Sequence, residues 1–255
     1  MAWLNADTVF DPDSLGLSIV GIAAKLGKHD SGEHQHKMGQ LLFTQSGCIR
    51  ITLSKRLCML PPTRVVWIPA NTKHRAEMKG VVGYRSIYID TALVKSLPNE
   101  VVVLEVNPLL RAVLERIAIS PFDTGWQQGP ALNLLTVGLD EIRSAHREPM
   151  LLRLPADRRL LNFSGDELPP PLNIFATTAG AGEKTISRIF MQETGLSYQQ
   201  WRQQWRFLKS IELLSERNSI SSIASALGFA SDSAFVYFFK KMSGSTPRAY
   251  IPVSR

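Results

Sequence analysis

The sequence predicts an α+β protein of two domains, with a β-rich amino-terminal part and an all-helical carboxyl-terminal part. Short β-branched and aromatic segments, bounded by Gly, Pro, Asn and Asp, fill residues 15–90 and are typical of strands. Beyond residue 107, apolar residues recur at helical spacing. At 255 residues, the chain is long enough to bury a core in either one large domain or two ordinary ones.

Five amino-terminal segments are expected to be strands. Their close spacing is typical of an antiparallel sandwich or barrel. The segments are LSIVGIAA (17–24), GQLLFTQ (39–45), CIRITLS (48–54), RVVWIPA (64–70) and YRSIYID (84–90).

Two helices are predicted after the strands. Asn107 is expected to cap the first, with Pro108 at its first position, and the second is expected to open at Pro130. The expected buried faces are Leu109, Val113 and Ile117 in the first helix and Leu132, Leu135, Leu139 and Ile142 in the second.

A segment with two prolines, REPMLLRLPADRR, is expected to hold the domain boundary at Pro149 and Pro155. We therefore predict a β-rich domain at residues 1–92, a helical connector at 93–154 and a helical domain at 155–255. The connector is the candidate contact of a homodimer, and the alternative is that its helices pack only on their own barrel.

The last hundred residues contain an internal repeat, which is the most specific pattern in the sequence. Each copy is predicted to be a short helix, a turn at glycine and a longer helix closed by glycine, which together form a helix-turn-helix. The matching residues are Leu172, Phe175, Ala176, Gly180, Ile186, Phe190, Gly195 and Trp201 in the first copy, and Ile220, Ile223, Ala224, Gly228, Phe235, Phe239, Gly244 and Tyr250 in the second.

The second helix of each copy has an apolar stripe and, opposite to it, an outward face. Outward residues near the amino end of such a helix meet base edges when the helix enters the major groove of DNA. These outward residues are Lys184, Ser187 and Arg188 in the first copy, and Asp232, Ser233, Val236, Tyr237 and Lys240 in the second.

A third apolar stripe predicts a long helix between the copies, and both of its tryptophans are expected in the core rather than stacked on bases. The stripe consists of Tyr198, Trp201, Trp205, Leu208 and Ile211.

The net charge of +7 indicates an anionic partner such as nucleic acid. The surplus is uneven, since residues from 150 onward hold 13 Lys and Arg against 8 Asp and Glu, whereas the first 149 residues hold 16 against 14. Most of the basic surplus therefore lies with the repeat.

On two motifs, TISRIFMQETGLSYQQWRQQWR and SISSIASALGFASDSAFVYFFKKMSGSTPRAY, residues 155–252 resemble the AraC-type DNA-binding domain. The resemblance implies two helix-turn-helix units on double-stranded promoter DNA. It places base contacts at Lys184, Ser187 and Arg188 in the first unit, and at Asp232, Ser233, Val236 and Tyr237 in the second.

Several of these side chains have more than one interpretation. Arg188 is expected either to read guanine through both arms of its guanidinium or to hold phosphate. Four other basic residues are expected on phosphate or in solvent, namely Lys184, Arg202, Arg206 and Lys240. Asp232 is expected to cap its own helix, to accept a hydrogen bond from cytosine N4 or to repel DNA, with capping favoured. Gly182 departs from the family, which has a serine cap there.

The stretch GEHQHKMGQLLF and the later IPANTKH match the two cupin motifs, and they resemble the cupin sensor of AraC-type regulators that carry H-x-H-x-x-G-Q-L and W-I-P. The resemblance implies a cupin-like β-barrel that senses a small-molecule effector. Its candidate site residues are His34, His36, Gln40 and His74, with Gln40 in place of the usual glutamate.

Alternate residues of a strand face the same side, so His34 and His36 can converge, and His74 can join them from a neighbouring strand. Three imidazoles and an amide oxygen suit a divalent transition metal such as Zn, Ni, Cu or Fe. The alternative is a metal-free pocket in which the same side chains hydrogen-bond an organic effector or one another.

The sequence thus predicts a ligand-responsive transcription regulator rather than an enzyme. It contains no P-loop, dinucleotide fingerprint, nucleophile elbow or zincin motif, and no catalytic residue is predicted. The alternatives are a cupin metalloenzyme and a non-specific architectural DNA-binding protein.

The amino terminus lacks a signal-peptide pattern and no apolar run is long enough to span a membrane, which predicts a cytoplasmic protein without a membrane partner. Cys48 and Cys58 are too few for a disulfide framework and are expected to be buried free thiols.

Overall fold

Twelve strands and eight α-helices make up the part of the chain that the computed structural model describes, namely residues 2–5, 8, 10–92, 94, 97–148, 150–160 and 167–250. The chain divides into two compact units. The β-rich unit comprises residues 1–53 and 60–150, and the helical unit comprises residues 54–59 and 151–255. Pro149, expected at the boundary, lies outside the described residues.

The strands match the expected segments and include several shorter ones. All five predicted strands are present, as β2, β4, β5, β7 and β9. The strand bounds are β1 Trp3–Leu4, β2 Ile19–Leu26, β3 His29–Asp30, β4 Gly39–Thr44, β5 Ile49–Leu53, β6 Arg56–Leu60, β7 Arg64–Ile68, β8 Arg75–Met78, β9 Val82–Ile89, β10 Val102–Glu105, β11 Arg147–Glu148 and β12 Leu152–Arg153.

Two sheets build the β-rich unit. The larger sheet has the order β1-β2-β9-β4-β7-β10-β11, and all its pairs are antiparallel except β1 with β2. In the second sheet, β8 lies between β5 and β3 and pairs antiparallel with both. β6 and β12 form an antiparallel pair whose residues belong almost entirely to the helical unit.

Two helices of the β-rich unit, α1 (Pro108–Ala118) and α2 (Gly129–Ser144), share an apolar core with the larger sheet. The predicted cap of α1 is confirmed, since the Asn107 side chain accepts a hydrogen bond from the Leu110 amide at 2.8 Å. Helix α2 begins at Gly129, one residue before the predicted start.

Two predicted core positions of these helices are wrong. Leu109 is 52% exposed and Leu132 is 39% exposed. In α1 the buried stripe begins at Leu110 instead of Leu109, and its residues follow at the spacings of three and four that are typical of one helix face. Its members are Leu110, Val113, Leu114 and Ile117.

The helical unit contains the two predicted helix-turn-helix copies. Gly180 and Gly228, in the turns, have φ of 63° and 67°, in the left-handed region that favours glycine. The helices are α3 Leu172–Thr178, α4 Glu183–Thr194, α5 Tyr198–Ser215, α6 Ile220–Ala226, α7 Asp232–Ser243 and α8 Pro247–Tyr250.

The long helix between the copies, α5, is confirmed and forms the centre of the helical unit. Its five stripe residues are all buried, with Trp201 at 1% exposure and Trp205 at 2%. Both tryptophans are therefore core residues, as expected. A capping box of Ser197 and Gln200 fixes where α5 begins.

Both thiols are free of a disulfide, as expected, but they differ in burial. Cys58 is fully buried, whereas Cys48 is only half-buried, which corrects the expectation for Cys48. Among the described residues, no helix combines the length and the apolar character that crossing a bilayer requires.

Candidate functional site

The three predicted histidines converge in the β-rich unit. His34 and His74 form an antiparallel bridge in which each backbone amide donates to the other's carbonyl at 2.9 Å. His36 lies two residues further on, and its carbonyl accepts from the Asn71 amide at 2.7 Å. The ring centroids are 4.4 to 5.0 Å apart, and one ligand nitrogen from each ring lies within 4.8 Å of the other two.

Backbone carbonyls fix the tautomer of two of these rings. The Nδ1 atom of His34 lies 3.0 Å from the Gly32 oxygen, and the Nδ1 atom of His74 lies 2.8 Å from the Thr72 oxygen. A carbonyl can only accept, so each Nδ1 carries the proton and each Nε2 presents a lone pair. The Nε2 atoms of His36 and His74 are buried without a partner.

Burial keeps two of the rings neutral. It lowers the pKa of His74 to about 4, assisted by the charges of His34 and His36 and opposed by the hydrogen bond to Thr72. Burial, followed by the charge of His34, also lowers the pKa of His36. Both rings therefore have the neutral form that binds metals or accepts hydrogen bonds.

Gln40, on β4, is held by hydroxyl groups of β9. Its Nε2 atom donates to Ser86 Oγ at 2.9 Å, to the Tyr88 hydroxyl at 3.3 Å and to the Tyr84 hydroxyl at 3.4 Å. Its Oε1 atom is buried without a partner. Gln40 was a predicted site residue, whereas Tyr84, Ser86 and Tyr88 were not. Their alternate positions in YRSIYID, which share one strand face, are the signal that could have identified them.

The histidines and Gln40 line a cavity of about 690 Å³. Both sheets contribute to it, and much of its wall is apolar. Among the described lining residues there is no lysine or arginine. Of its carboxylates, Asp30 is bound by Arg75 at 2.8 Å, and that guanidinium holds the Asp30 pKa below its usual range. The apolar lining residues are Leu4, Phe10, Pro12, Ile22, Ala24, Leu26, Leu42, Ala76 and Met78.

The structure places the predicted DNA-contacting residues on α4 and α7 of the helical unit. Lys184 and Arg188 are exposed on α4, with Ser187 half-buried. On α7, Tyr237 is 72% exposed and Val236 is half-buried. The remaining predicted residues, Asp232, Ser233 and Lys240, are also exposed on α7.

The caps of the two helices differ. Gly182 is the cap residue just before α4 and, as a glycine, supplies no side-chain hydrogen bond to the helix. The expectation that Asp232 caps α7 is wrong, since Ser231 is the cap and accepts from the Ala234 amide. Asp232 occupies the first helical position and accepts a hydrogen bond from Ser221 at 2.6 Å.

Two family models match the chain. An AraC-like ligand binding domain matches residues 16–132, and a helix-turn-helix domain matches residues 175–251. Each model falls on one of the two sites described above.

Curated relatives are named as transcriptional regulators. The HTH-type transcriptional regulator NimR of Escherichia coli (strain K12) is 27% identical over 249 residues, which cover 95% of this chain and 90% of that protein. The HTH-type transcriptional regulator RipA of Corynebacterium glutamicum is 34% identical over 79 residues, 31% of this chain and 24% of that protein. A solved structure of ToxT from Vibrio cholerae covers 92% of this chain and 98% of that chain, with 13% identity and a TM-score of 0.37.

Proposed function

Since this chain belongs to the AraC-type transcription regulators, with an AraC-like ligand-binding domain and a DNA-binding helix-turn-helix domain, we propose that an effector in its cavity controls how α4 and α7 bind double-stranded promoter DNA. The observation that carries the proposal is the histidine-lined cavity, in the same chain as two recognition helices with exposed polar faces. An effector that binds the DNA-competent arrangement better than the alternative raises its population.

Contacts with DNA are assigned to the eight predicted residues of α4 and α7. Exposed residues near a helix amino terminus reach base edges in the major groove, and lysines further along reach phosphate. Arg188, exposed on α4, is the candidate for a bidentate contact with guanine. Tyr237, as an exposed aromatic residue of α7, suits apolar contact with a thymine methyl.

The histidines fit a divalent transition metal. Buried Nε2 atoms without partners supply ligands, and the carbonyls that hold Nδ1 of His34 and His74 are the outer partners typical of metal-binding histidines. His34, His36 and His74 would hold the ion, with Gln40 Oε1 as a further oxygen ligand. A bound ion would supply a Lewis acid for a ligating group of the effector.

A metal-free pocket is the second candidate. The Gln40 amide nitrogen faces three hydroxyls, which leaves Oε1 to accept a hydrogen bond from an effector. With no lysine or arginine among the described lining residues, the cavity offers no such cation to an anionic effector. It suits a molecule with an N–H or O–H donor and an apolar body.

Genomic footprinting of the purified full-length chain, with and without candidate effectors, tests the proposed function. We expect protection at few sites and a change in protection when the effector binds. Protection of many sites without sequence preference would indicate an architectural protein. If no site is protected, the proposed regulation through DNA binding is wrong. The histidine-lined cavity would then favour the metalloenzyme alternative.

A further inference from the structure

Among the described residues of the helical unit, Arg206 is the only buried lysine or arginine. The expectation that Arg206 contacts phosphate or solvent is therefore wrong. It lies in the middle of α5, and its guanidinium reaches the end of α6. Its Nε donates to the Leu227 carbonyl at 2.9 Å, and its Nη2 donates to the Leu227 and Gly228 carbonyls at 2.6 and 2.9 Å. One side chain of α5 thus binds the turn that separates α6 from α7.

The same guanidinium also contacts the core that α7 packs on. It lies 3.8 Å from the ring centroid of Phe229, in the turn, and 5.9 Å from that of Phe238, on α7. The Phe229 ring in turn packs on Phe238, with centroids 4.9 Å apart. Arg206 therefore connects α5, the end of α6 and α7.

The contacts of Arg206 depend on its forked shape and not only on its charge. Its two carbonyl acceptors, Leu227 and Gly228, lie at the carboxyl end of α6, where the backbone dipoles favour a cation. Its third acceptor among the described residues is the amide oxygen of Gln203, on α5. The Leu227 carbonyl is bound by two nitrogens of one planar group, Nε and Nη2, and Nη2 also binds the Gly228 carbonyl. The single ammonium of lysine cannot reproduce this fork. Burial, followed by the charge of Arg202, lowers the Arg206 pKa to about 10, so the group stays charged at neutral pH.

The first copy has no equivalent contact in the described structure. Matching backbone bonds close both turns, since the Gly180 and Ala181 amides donate to the Thr177 and Ala176 carbonyls as those of Gly228 and Phe229 donate to Ser225 and Ala224. The side-chain contact of Arg206 is thus an addition in the second copy. Arg202, one helical turn before Arg206 on α5, donates instead to the Pro169 carbonyl, ahead of α3. The two copies are therefore attached to α5 in different ways.

We propose that Arg206 is a positioning residue for DNA reading by the second copy, which fixes the direction of α7 on α5 without touching DNA. At 7% exposure its guanidinium is enclosed by protein, so it acts through α7. The proposal rests on the proposed function, because it requires that α7 enters a groove.

The test uses the full-length chain and a duplex that the wild-type protein selects from random-sequence DNA. Hydroxyl-radical footprints of Arg188→Ala and Tyr237→Ala assign the protected blocks to α4 and α7. We expect Arg206→Met and Arg206→Lys each to weaken binding about tenfold, the scale of one base contact, with protection lost in the α7 block alone. The matched control, Arg202→Met, should leave the α7 block protected.

Hydrogen exchange gives a readout that needs no DNA. In both Arg206 variants, amides around residues 227–231 should exchange faster than in the wild type, while those around 179–183 should not change. If Arg206→Met fails to fold, Arg206→Lys carries both measurements.

The proposal would be overturned if the Arg206 variants lose protection equally in both blocks, or if Arg206→Lys binds and protects the duplex as the wild type does. Unchanged hydrogen exchange at 227–231 would also overturn it. Failure of the wild-type chain to select any duplex would instead overturn the proposed function. In that event the exchange measurement still decides whether Arg206 fixes the turn before α7.

Discussion

The Gln40 amide shows how single residues define the cavity. Three hydroxyls on β9 bind its nitrogen, so its oxygen is left as an acceptor near the histidines. A carboxylate at this position would present an oxygen to the same hydroxyls as well, and would bring a negative charge into a cavity without a described lysine or arginine. The glutamine therefore keeps the cavity uncharged at this point.

Replacing one histidine should abolish metal binding. We expect metal-depleted wild-type protein to bind close to one equivalent of Co²⁺ with a visible absorption band, because three imidazole nitrogens converge. His34→Ala should lose the band. His29→Ala is the matched control, since His29 lines the same cavity outside the cluster. If neither the wild type nor the control binds Co²⁺, the pocket is metal-free.

Arg188 supplies a test of base reading. Arg188→Ala should weaken binding to the selected duplex by about 1 to 3 kcal/mol, because a bidentate guanine contact is lost. Arg116→Ala is the matched control, because it removes the same charge from an exposed position on α1 of the β-rich unit. Fluorescence anisotropy measures both variants. Equal affinity of Arg188→Ala and wild type would remove Arg188 from the interface.

Burial should make Cys58 unreactive at ordinary pH. It raises the pKa of the Cys58 thiol to about 12, so almost none is present as the nucleophilic thiolate at pH 8. In a Cys48→Ser variant we expect a thiol-specific disulfide reagent at pH 8 to label no thiol before denaturation and one afterwards. Rapid labelling of the folded variant would show that Cys58 is accessible.

At the scale of elements, close contacts rather than propensity decide where glycine is needed. Gly39, on β4, faces the Trp67 ring of β7, and a Cβ atom there would overlap that ring. Gly21, on β2, faces the carbonyls of Ile117 and Ala118 at the end of α1. These two glycines let an indole and a helix end approach the larger sheet closely.

Gly39→Ala should therefore destabilise the β-rich unit. We expect a loss of about 1 to 3 kcal/mol in the free energy of unfolding, because the added Cβ would overlap the buried Trp67 ring. Gly27→Ala is the matched control, since no atom lies within 4 Å of its added Cβ. Urea unfolding followed by tryptophan fluorescence measures both, and equal midpoints would contradict the overlap.

At the scale of the whole molecule, we propose a homodimer through the helical connector at residues 93–154. Leu109, Leu132 and Val137 are exposed apolar residues of α1 and α2, and apolar residues of this size favour burial in an interface. Each copy of the chain would then bring its own pair of recognition helices.

Light scattering on the purified chain tests this assembly. We expect a mass of about twice the 28.4 kDa of one chain. Leu132→Glu combined with Val137→Glu should return the mass to that of one chain, whereas Asn133→Glu, at an exposed polar position of α2, should not. A wild-type mass of one chain would show the dimer proposal to be wrong.

The sequence by itself determined the features that arise from local patterns. The repeat, the glycine turns, the stripe of α5 and the Asn107 cap depend on residues close together in the chain, so spacing and residue type were enough to predict them. The convergence of His34, His36 and His74 was predicted from the resemblance to the two cupin motifs, although the three residues lie outside the named strands.

Tertiary structure alone decided the contacts between distant segments. The choice of Leu110 over Leu109 as a core residue depends on the direction from which the sheet meets α1, since neighbouring residues of a helix lie about 100° apart. The hydroxyls around Gln40 and the carbonyls around Arg206 belong to segments about 20 to 50 residues away. Local spacing carries no information about such pairings, because they form only when the strands and helices have packed.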